Sequence, residues 1–399
     1  MSDDNDDITT AIGSIQWSVP SSPEEFLADY WQQKPCLLVN AFPQFQNPLS
    51  PDELAGLAME ADIPSRLIRS PREAQWTLSH GPFSEETLTS LPTSDWSILI
   101  SDVEKHLDGF DAYLQPFRFI PDWRIDDLMI SYAPTGASVG AHIDAYDVFL
   151  LQAQGQREWR IELEPQSNPT FIPALDLKVL ADFKAEATYV LSPGDMLYLP
   201  PGVAHHGVSL DNDCMTWSIG FRAPAIADIV HEISQQLTEH LTESDRLGDA
   251  GRTLQTHPGE ITPATIAAIR SVWNTMMHPD DQTFAVMVGK LLTQFGSDTE
   301  PNNAAGAQAS VQWHQLAPDD ELTRKSNVRL GFIEQTEGCT LFVNTLEFAV
   351  SRQLAEFLCD HRSFVYRDVI AICEQTHDAA TDNQQCLQTL FDNEWLLVT

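Results

Sequence analysis

The chain has 399 residues and is 43% hydrophobic and 9% aromatic, enough for two or three domains with genuine cores. It carries 22 Lys+Arg against 58 Asp+Glu, a formal net charge of −36. A surface so acidic repels nucleic acid and anionic membranes and attracts basic partners, which argues against a nucleic-acid-binding or membrane-surface protein.

Residues 1–14 open on MSDDNDDITT, too acidic and polar for a secretion signal, and are expected to be disordered. Ser22-Pro23-Glu24-Glu25 predicts a helix start: Ser22 as N-cap, Pro23 at the first position, Glu25 closing a capping box. That helix should carry Phe26, Leu27, Tyr30 and Trp31 and stop before Pro35. Cys36–Val39 reads as a buried strand, Ser50-Pro51-Asp52-Glu53 as a second helix start, Trp96–Ile100 as a strand and Val103–Phe117 as a helix.

From about 127 to 222 the text turns β-rich. Strands are expected at Leu128–Tyr132, Asp147–Gln152, Glu158–Ile161, Thr188–Leu191, Met196–Leu199 and Met215–Phe221. Gly155-Gln156, Pro193-Gly194-Asp195 and Pro200-Pro201-Gly202 punctuate them as turns. Short strands at this spacing suggest a β-sandwich or barrel.

After Pro224 the period becomes helical. Ile226, Val230, Ile233, Leu237 and Leu241 share one face. A second helix starts at Thr262-Pro263 and holds Ile266, Ile269, Trp273 and Met276; a third spans about 281–295. These helices either pack on the β-rich core or form a dimer interface. Residues 296–310 read as a polar linker. Beyond it, Val328–Ile333 and Cys339–Val343 resemble a hairpin around Glu337-Gly338. Helices follow near 352–359, 366–375 and 382–391, with an apolar end at Trp395–Val398. That mix fits a compact α+β module such as a winged helix. No uncharged apolar run reaches the roughly 18 residues a membrane helix needs. The six cysteines (Cys36, Cys214, Cys339, Cys359, Cys373, Cys386) form no CxxC pair and suit free thiols in a reducing, cytoplasmic setting.

The chemistry concentrates in two segments. In Gly140-Ala141-His142-Ile143-Asp144, residues two apart on a strand face the same way, so His142 and Asp144 can reach one metal ion. Tyr198-Leu199-Pro200-Pro201-Gly202-Val203-Ala204-His205-His206-Gly207 supplies a further histidine. Two His and one carboxylate on one face leave open positions for a bidentate co-substrate and dioxygen, the arrangement of non-haem Fe(II) oxygenases. Arg157 follows on a strand ending in Trp159, and its guanidinium can clamp the distal carboxylate of 2-oxoglutarate.

At these residues the chain resembles the JmjC-domain ribosomal oxygenases, most closely the bacterial branch that hydroxylates an arginine of a large-subunit ribosomal protein. The likeness is carried by DYWQQKPCLLVNAF (29–42), DDLMISYAP (126–134), HIDAYDVFLLQAQGQREWRI (142–161), SPGDMLYLPPGVAHHG (192–207) and WSIGFRAP (217–224). It implies a mainly β fold: a double-stranded β-helix, or JmjC/cupin-like barrel, over 1–224. A helical dimerisation region over 225–295 and a winged-helix-like α+β domain over 311–399 would follow. It implies His142, Asp144 and His205 as Fe(II) ligands, His205 rather than His206 by its place after Pro-Pro-Gly, and Arg157 for 2-oxoglutarate. It implies an arginine slot in which Asp127 pairs with the guanidinium, Met129 and Tyr146 sandwich its stem and Ser218 hydrogen-bonds to it. One position departs. Bacterial relatives often place a serine near the 2-oxoglutarate carboxylate where this chain has Ala133, and Thr135, Tyr132 or a water would have to substitute. The implied activity is protein-arginine hydroxylation with dioxygen as co-substrate, on a basic ribosomal protein and by a cytoplasmic homodimer. Competing readings are ribosomal-histidine hydroxylation, methyl-lysine demethylation, a cupin-type hydrolase or isomerase with another metal, and a non-catalytic barrel.

Overall fold

The computed structural model describes residues 13–70, 76–107, 109–294, 313–335, 338–375 and 383–399. The chain splits into two compact units, Met1–Ala223 and Pro224–Thr399. The expected linker 296–310, residues 1–12 of the acidic start and Glu337 of the expected hairpin turn lie outside the described residues.

The first unit opens with α1 (Pro23–Asp29), capped by the Ser22 hydroxyl. It ends earlier than the apolar spacing suggested, and Tyr30 and Trp31 sit in the turn beyond it. Next come β1 (Cys36–Leu38), α2 (Pro51–Leu57) with its capping box, β2 (Ser65–Arg69), β3 (Thr77–His80), α3 (Glu85–Thr89) and β4 (Trp96–Ile100). The helix expected over Val103–Phe117 is broken. Only α4 (Val103–His106) is α-helical, and a 3-10 segment covers Phe110–Phe117. Gly109 holds φ +81°, a left-handed conformation that ends a helix, and Pro116 cannot donate to an α-helical ladder.

The remaining strands are β5 (Ile125–Ala133), β6 (Asp147–Gln154), β7 (Arg157–Pro165), β8 (Ala187–Leu191), β9 (Met196–Leu199), β10 (Val203–Ser209) and β11 (Cys214–Phe221). They form an eight-stranded antiparallel sheet in the order β1-β9-β6-β11-β5-β4-β2-β3 and a three-stranded sheet β10-β7-β8. The barrel-type β fold expected from the spacing is therefore present.

Alternation along β11 separates two environments. Met215, Trp217, Ile219 and Phe221 face the main core, which packs them against the N-terminal helices and the 3-10 segment. Trp217 is fully buried among Tyr113, Phe45 and Phe110, with ring centroids 4.7, 5.4 and 5.6 Å away. Each such large side chain contributes roughly 1.5–3 kcal/mol by burial. The other face looks into the barrel, where Val148, Leu150, Leu197 and Leu199 meet Trp159, Ile161 and Leu191 of the small sheet.

The second unit contains α5 (Ile226–Thr238), α6 (Pro263–Met276) and α7 (Asp281–Thr293). An α+β module follows: β12 (Glu321–Arg324), β13 (Leu330–Glu334), β14 (Cys339–Val343), β15 (Leu346–Val350), α8 (Arg352–Asp360), β16 (Ser363–Val365), α9 (Tyr366–Gln375), α10 (Asn383–Asp392) and β17 (Leu396–Val398). Strand β15 adds a third strand to the expected hairpin, and β12 pairs with β16 and β17 in a second sheet. Among the described residues no helix is long and apolar enough to cross a membrane.

Candidate metal centre

His142 and Asp144 lie in an extended segment between β5 and β6, not within a regular strand as the i, i+2 argument supposed. What holds them is one isolated bridge. His142 N–H donates to His205 O (3.0 Å) and His205 N–H donates to His142 O (2.9 Å). The Gly202 N–H donates to Asp144 O at 2.8 Å, so the Pro-Pro-Gly turn fixes the carboxylate's backbone as well.

Both imidazoles are aimed by the chain's own carbonyls. The Nδ1 atoms of His142 and His205 lie 3.0 Å from Gly140 O and Val203 O. A carbonyl only accepts, so each Nδ1 carries the proton and each Nε2 is left with its lone pair. Gly140 holds φ +88°, and a Cβ there would lie 2.9 Å from Val179 Cγ1, so the backbone supporting His142 needs glycine. His205 Nε2 is 3.5 Å from Asp144 Oδ2, and the histidine ring centroids are 4.2 Å apart. One donor atom from each of His142, Asp144 and His205 falls within 4.8 Å of the others. Burial, then the His142 ring, push His205 down to about 4, so its imidazole is neutral at pH 7 and ready to ligate. His206 faces the other way, with its ring against Phe183 at 6.1 Å.

The small sheet brings Arg157 to the same barrel face. Its register sets His205 opposite Ile161, Gly207 opposite Trp159 and Ser209 opposite Arg157. Gly207 matters here, because a Cβ would stand 2.7 Å from the Trp159 ring. Arg157 is 3% exposed. Its Nε donates to Cys214 Sγ at 3.4 Å, its guanidinium lies 5.6 Å from the Trp159 ring centroid, and its Nη2 has no hydrogen-bond partner among the described residues. A buried guanidinium with an orphan donor is costly unless an anion completes it. Two neutral imidazoles, one carboxylate and that orphan donor fit a divalent iron with a dicarboxylate co-substrate.

Neither named substitute for the absent serine reaches this interior. Tyr132 Oη donates to Asn212 O (2.6 Å), and Thr135 Oγ1 donates to Asn212 Oδ1 (2.8 Å). Register instead places Ala133, Ser131 and Met129 of β5 beside Cys214, Thr216 and Ser218 of β11. The interior hydroxyls nearest Ala133 in this register are Ser131, donating to Thr216 O (3.3 Å), and Thr216, donating to Gln152 Oε1 (3.1 Å).

The expected substrate residues gather at one mouth of the barrel. Gly220 of β11 separates two of them: a Cβ there would lie 3.1 Å from Asp127 Oδ1 and 3.6 Å from Tyr146 Cε2. Ser218 is directly opposite Met129. Burial, then Asp126 and Asp102, push Asp127 up to about 7. Burial, then Asp144, push the Tyr146 phenol up, so it stays protonated. Asp127 has no ion-pair or hydrogen-bond partner among the described residues.

Sequence reasoning missed two contributors. Asp147, fully buried at the start of β6, accepts from Arg124 Nη2 (2.9 Å), Tyr198 Oη (2.6 Å) and Gln32 Nε2 (2.9 Å), which pins the segment carrying Asp144 and Tyr146. The Asp147 text reads only as a strand end, and its partners are distant in sequence. Arg66 of β2 places Nη2 3.1 Å from Met129 Sδ.

With this geometry in view, the comparisons with known proteins converge. A JmjC domain model matches residues 103–229, and an AraC-like ligand binding domain model matches 184–316. The Escherichia coli ribosomal protein uL16 3-hydroxylase is 37% identical over 270 residues, covering 68% of this chain and 71% of that protein. The chain belongs to the bacterial JmjC ribosomal oxygenases. Another relative, a probable ribosomal oxygenase of Haemophilus influenzae, is 28% identical over 98% of this chain and its own entire length. Among solved structures, the E. coli ribosomal oxygenase YcfD with cobalt and succinic acid matches at TM-score 0.76 and 29% identity, over 96% of this chain and 99% of that one. YcfD with cobalt and 2-oxoglutarate matches at TM-score 0.76 and 28% identity. The JmjC barrel fold is thus common to this oxygenase and to structures that hold a metal and a dicarboxylate.

Proposed function

We propose that this chain is an Fe(II)- and 2-oxoglutarate-dependent dioxygenase that hydroxylates an arginine side chain of a large-subunit ribosomal protein. The observation that carries the reading is the His142, Asp144, His205 cluster with the orphan Nη2 of Arg157 on the same barrel face. His142 Nε2, His205 Nε2 and an Asp144 oxygen would hold the iron, and Arg157 would hold the distal carboxylate of 2-oxoglutarate. Bound iron and co-substrate supply the oxidising power, consuming dioxygen and releasing succinate and CO2 as an oxygen atom enters a substrate C–H bond.

The protein's own work is positioning. Trp159, Ile161 and Leu191 keep the interior dry, and the Asp147 network fixes the ligand segment. Asp127 offers a carboxylate without a partner of its own, which suits an incoming guanidinium. Tyr146 offers an aromatic face and Met129 a polarisable thioether for the apolar stem. Ser218 sits beside Met129 to accept an N–H. The name of the E. coli relative points to a ribosomal protein, and the chain's net charge of −36 would draw in a basic one. That substrate is made in the cytoplasm, where we place the enzyme.

The second unit supports a homodimer. Helix α6 buries none of its residues, and Ile266, Ile269, Val272 and Trp273 are each at least half exposed. Ile226 and Val230 of α5 are 82% and 59% exposed. Apolar faces of this extent mark association surfaces. On this reading 225–295 is the dimerisation region, 296–310 a linker and 311–399 a separate module.

The test of the activity is anaerobic loading with Fe(II), then incubation with 2-oxoglutarate, dioxygen and ribosomal proteins. Mass spectrometry should show one added oxygen on an arginine. Addition on a histidine, or loss of lysine methyl groups, would replace the arginine reading with its nearest relative. Light scattering should give twice the chain mass, and a monomer would remove the dimer.

A further inference from the structure

Two ionisable side chains, Asp127 and Arg66, lie near each other at the barrel mouth with no hydrogen bond or ion pair within 4.0 Å between them. Asp127 has no hydrogen bond and no ion pair within 4.0 Å among the described residues, though the charges of Lys105 and Arg66 act on it. Arg66 is half-buried on β2, and its sole hydrogen-bond acceptor among the described residues is the Met129 thioether, 3.1 Å from Nη2. Thioether sulfur is a weak acceptor, and a guanidinium carries five N–H donors. In a chain with 22 Lys+Arg and 58 Asp+Glu, a half-buried cation without a carboxylate within 4.0 Å among the described residues stands out. Arg222, across the mouth, is satisfied in the ordinary way: its Nη2 is 3.0 Å from Asp126 Oδ2 and its guanidinium lies 5.8 Å from the Tyr146 ring.

Register shows which way Arg66 faces. Arg66 is opposite Leu99 of β4, Leu99 is opposite Ser131 of β5, and Ser131 is opposite Thr216. Directly paired residues share a sheet face, so Arg66 belongs to the barrel-facing side of the large sheet, beside Met129. The free donors are therefore held at the entrance to the slot, on the β2 side, while the free carboxylate of Asp127 is on the same wall. A basic substrate would be repelled by this cation unless it brought acceptors to meet it. A polypeptide does so through its main-chain carbonyls.

We propose that Arg66 is a substrate-binding residue whose guanidinium donates hydrogen bonds to main-chain carbonyl oxygens of the bound polypeptide, seating its backbone along the β2 side while Asp127 takes the side chain. This rests on the arginine-slot reading above. It makes Arg66 a discriminator between a peptide and an isolated guanidinium. Asp127 recognises the side chain of either, but Arg66 has acceptors to bind only in the peptide.

The experiment uses the full-length, Fe(II)-loaded enzyme with an arginine-containing peptide of the ribosomal protein and, separately, with ethylguanidinium as a competitor. Arg66→Ala should raise the peptide KM about tenfold, the worth of one charge-assisted hydrogen bond. It should leave ethylguanidinium inhibition and peptide-free 2-oxoglutarate turnover within twofold. Arg66→Lys, which keeps the charge but loses the fork, should fall between; it also serves if the alanine variant does not fold. Asp127→Ala should weaken peptide and ethylguanidinium alike. If Asp127→Ala weakens both while the Arg66 variants leave the peptide KM unchanged, or weaken ethylguanidinium equally, Arg66 is only a wall of the barrel. If Asp127→Ala affects neither, the arginine slot falls, and this assignment with it.

Discussion

Two regions of the barrel interior, one around the histidine pair and one around Asp127, are built on different principles. At the metal end, His142 and His205 are locked to each other by two backbone hydrogen bonds, their Nδ1 atoms are held by carbonyls, and His205 is 2% exposed. At the mouth, Asp127 and Arg66 stand partly exposed with little or nothing bound to them. The backbone around the histidine pair is fixed by the chain's own hydrogen bonds, whereas the charged groups at the mouth are not tied to each other. Preorganisation thus lies where a metal site needs fixed angles, and unpaired polar groups lie where an incoming molecule would be met.

The sharpest way to break this contrast is at the metal end. His142→Ala, Asp144→Ala or His205→Ala should each reduce succinate formation to background with Fe(II) supplied, and near-normal turnover would remove that residue from the ligand set. Arg157→Ala should raise the 2-oxoglutarate KM by about a hundredfold, the loss of a bidentate charge-assisted pair, with iron affinity little changed. At the mouth, Asp127→Asn should cut peptide hydroxylation by about tenfold or more while peptide-free turnover survives; equal losses in both would place Asp127 in the metal machinery.

The pH response separates the ends further. Asp127 has its carboxyl raised to about 7, so its charged form grows in as pH rises through 7, and the peptide KM should fall over that interval. The stability consequence has the opposite sign. The folded state holds this proton more tightly than the unfolded chain, so the Asp127 contribution is complete below the ordinary carboxylate range and is lost as pH rises toward about 7. Asp127→Asn should therefore melt about 2–4 °C higher than the parent protein at pH 8, with no gain at pH 4. The smallest expected effect is at His206→Ala, which should leave kcat within twofold, since that ring faces Phe183 and not the cluster.

Much of this was legible in the sequence because local signals and long-range packing agreed. Trp96–Ile100 and Met196–Leu199 have the bounds that their apolar runs suggest, and His205, the histidine after the Pro-Pro-Gly turn, lies beside His142 and Asp144. The failures have physical causes. Val103–Phe117 shows apolar helical spacing, but Gly109 and Pro116 divide it. Strand β10 went unread because His-His-Gly has no strand composition; its extension comes from pairing with β7 and from the bridge to His142. Strands β2 and β3 were missed, and Arg66 with them, since Arg66 gains meaning only from Met129, which β4 and β5 bring to it. Of the residues named to replace the serine at Ala133, Tyr132 is turned to the other face by alternation along β5, and the Thr135 hydroxyl is bound to Asn212.

The bridge between His142 and His205 has a consequence for how the barrel breathes. Both histidine amides are donors in the same two-residue clasp, and that clasp joins the segment before β6 to the small sheet. Opening it would part the two imidazoles, and parting the imidazoles would strain it. A bound ion should therefore slow solvent exchange at these two amides together, as a single opening unit, while exchange along β2 and β3 proceeds as before.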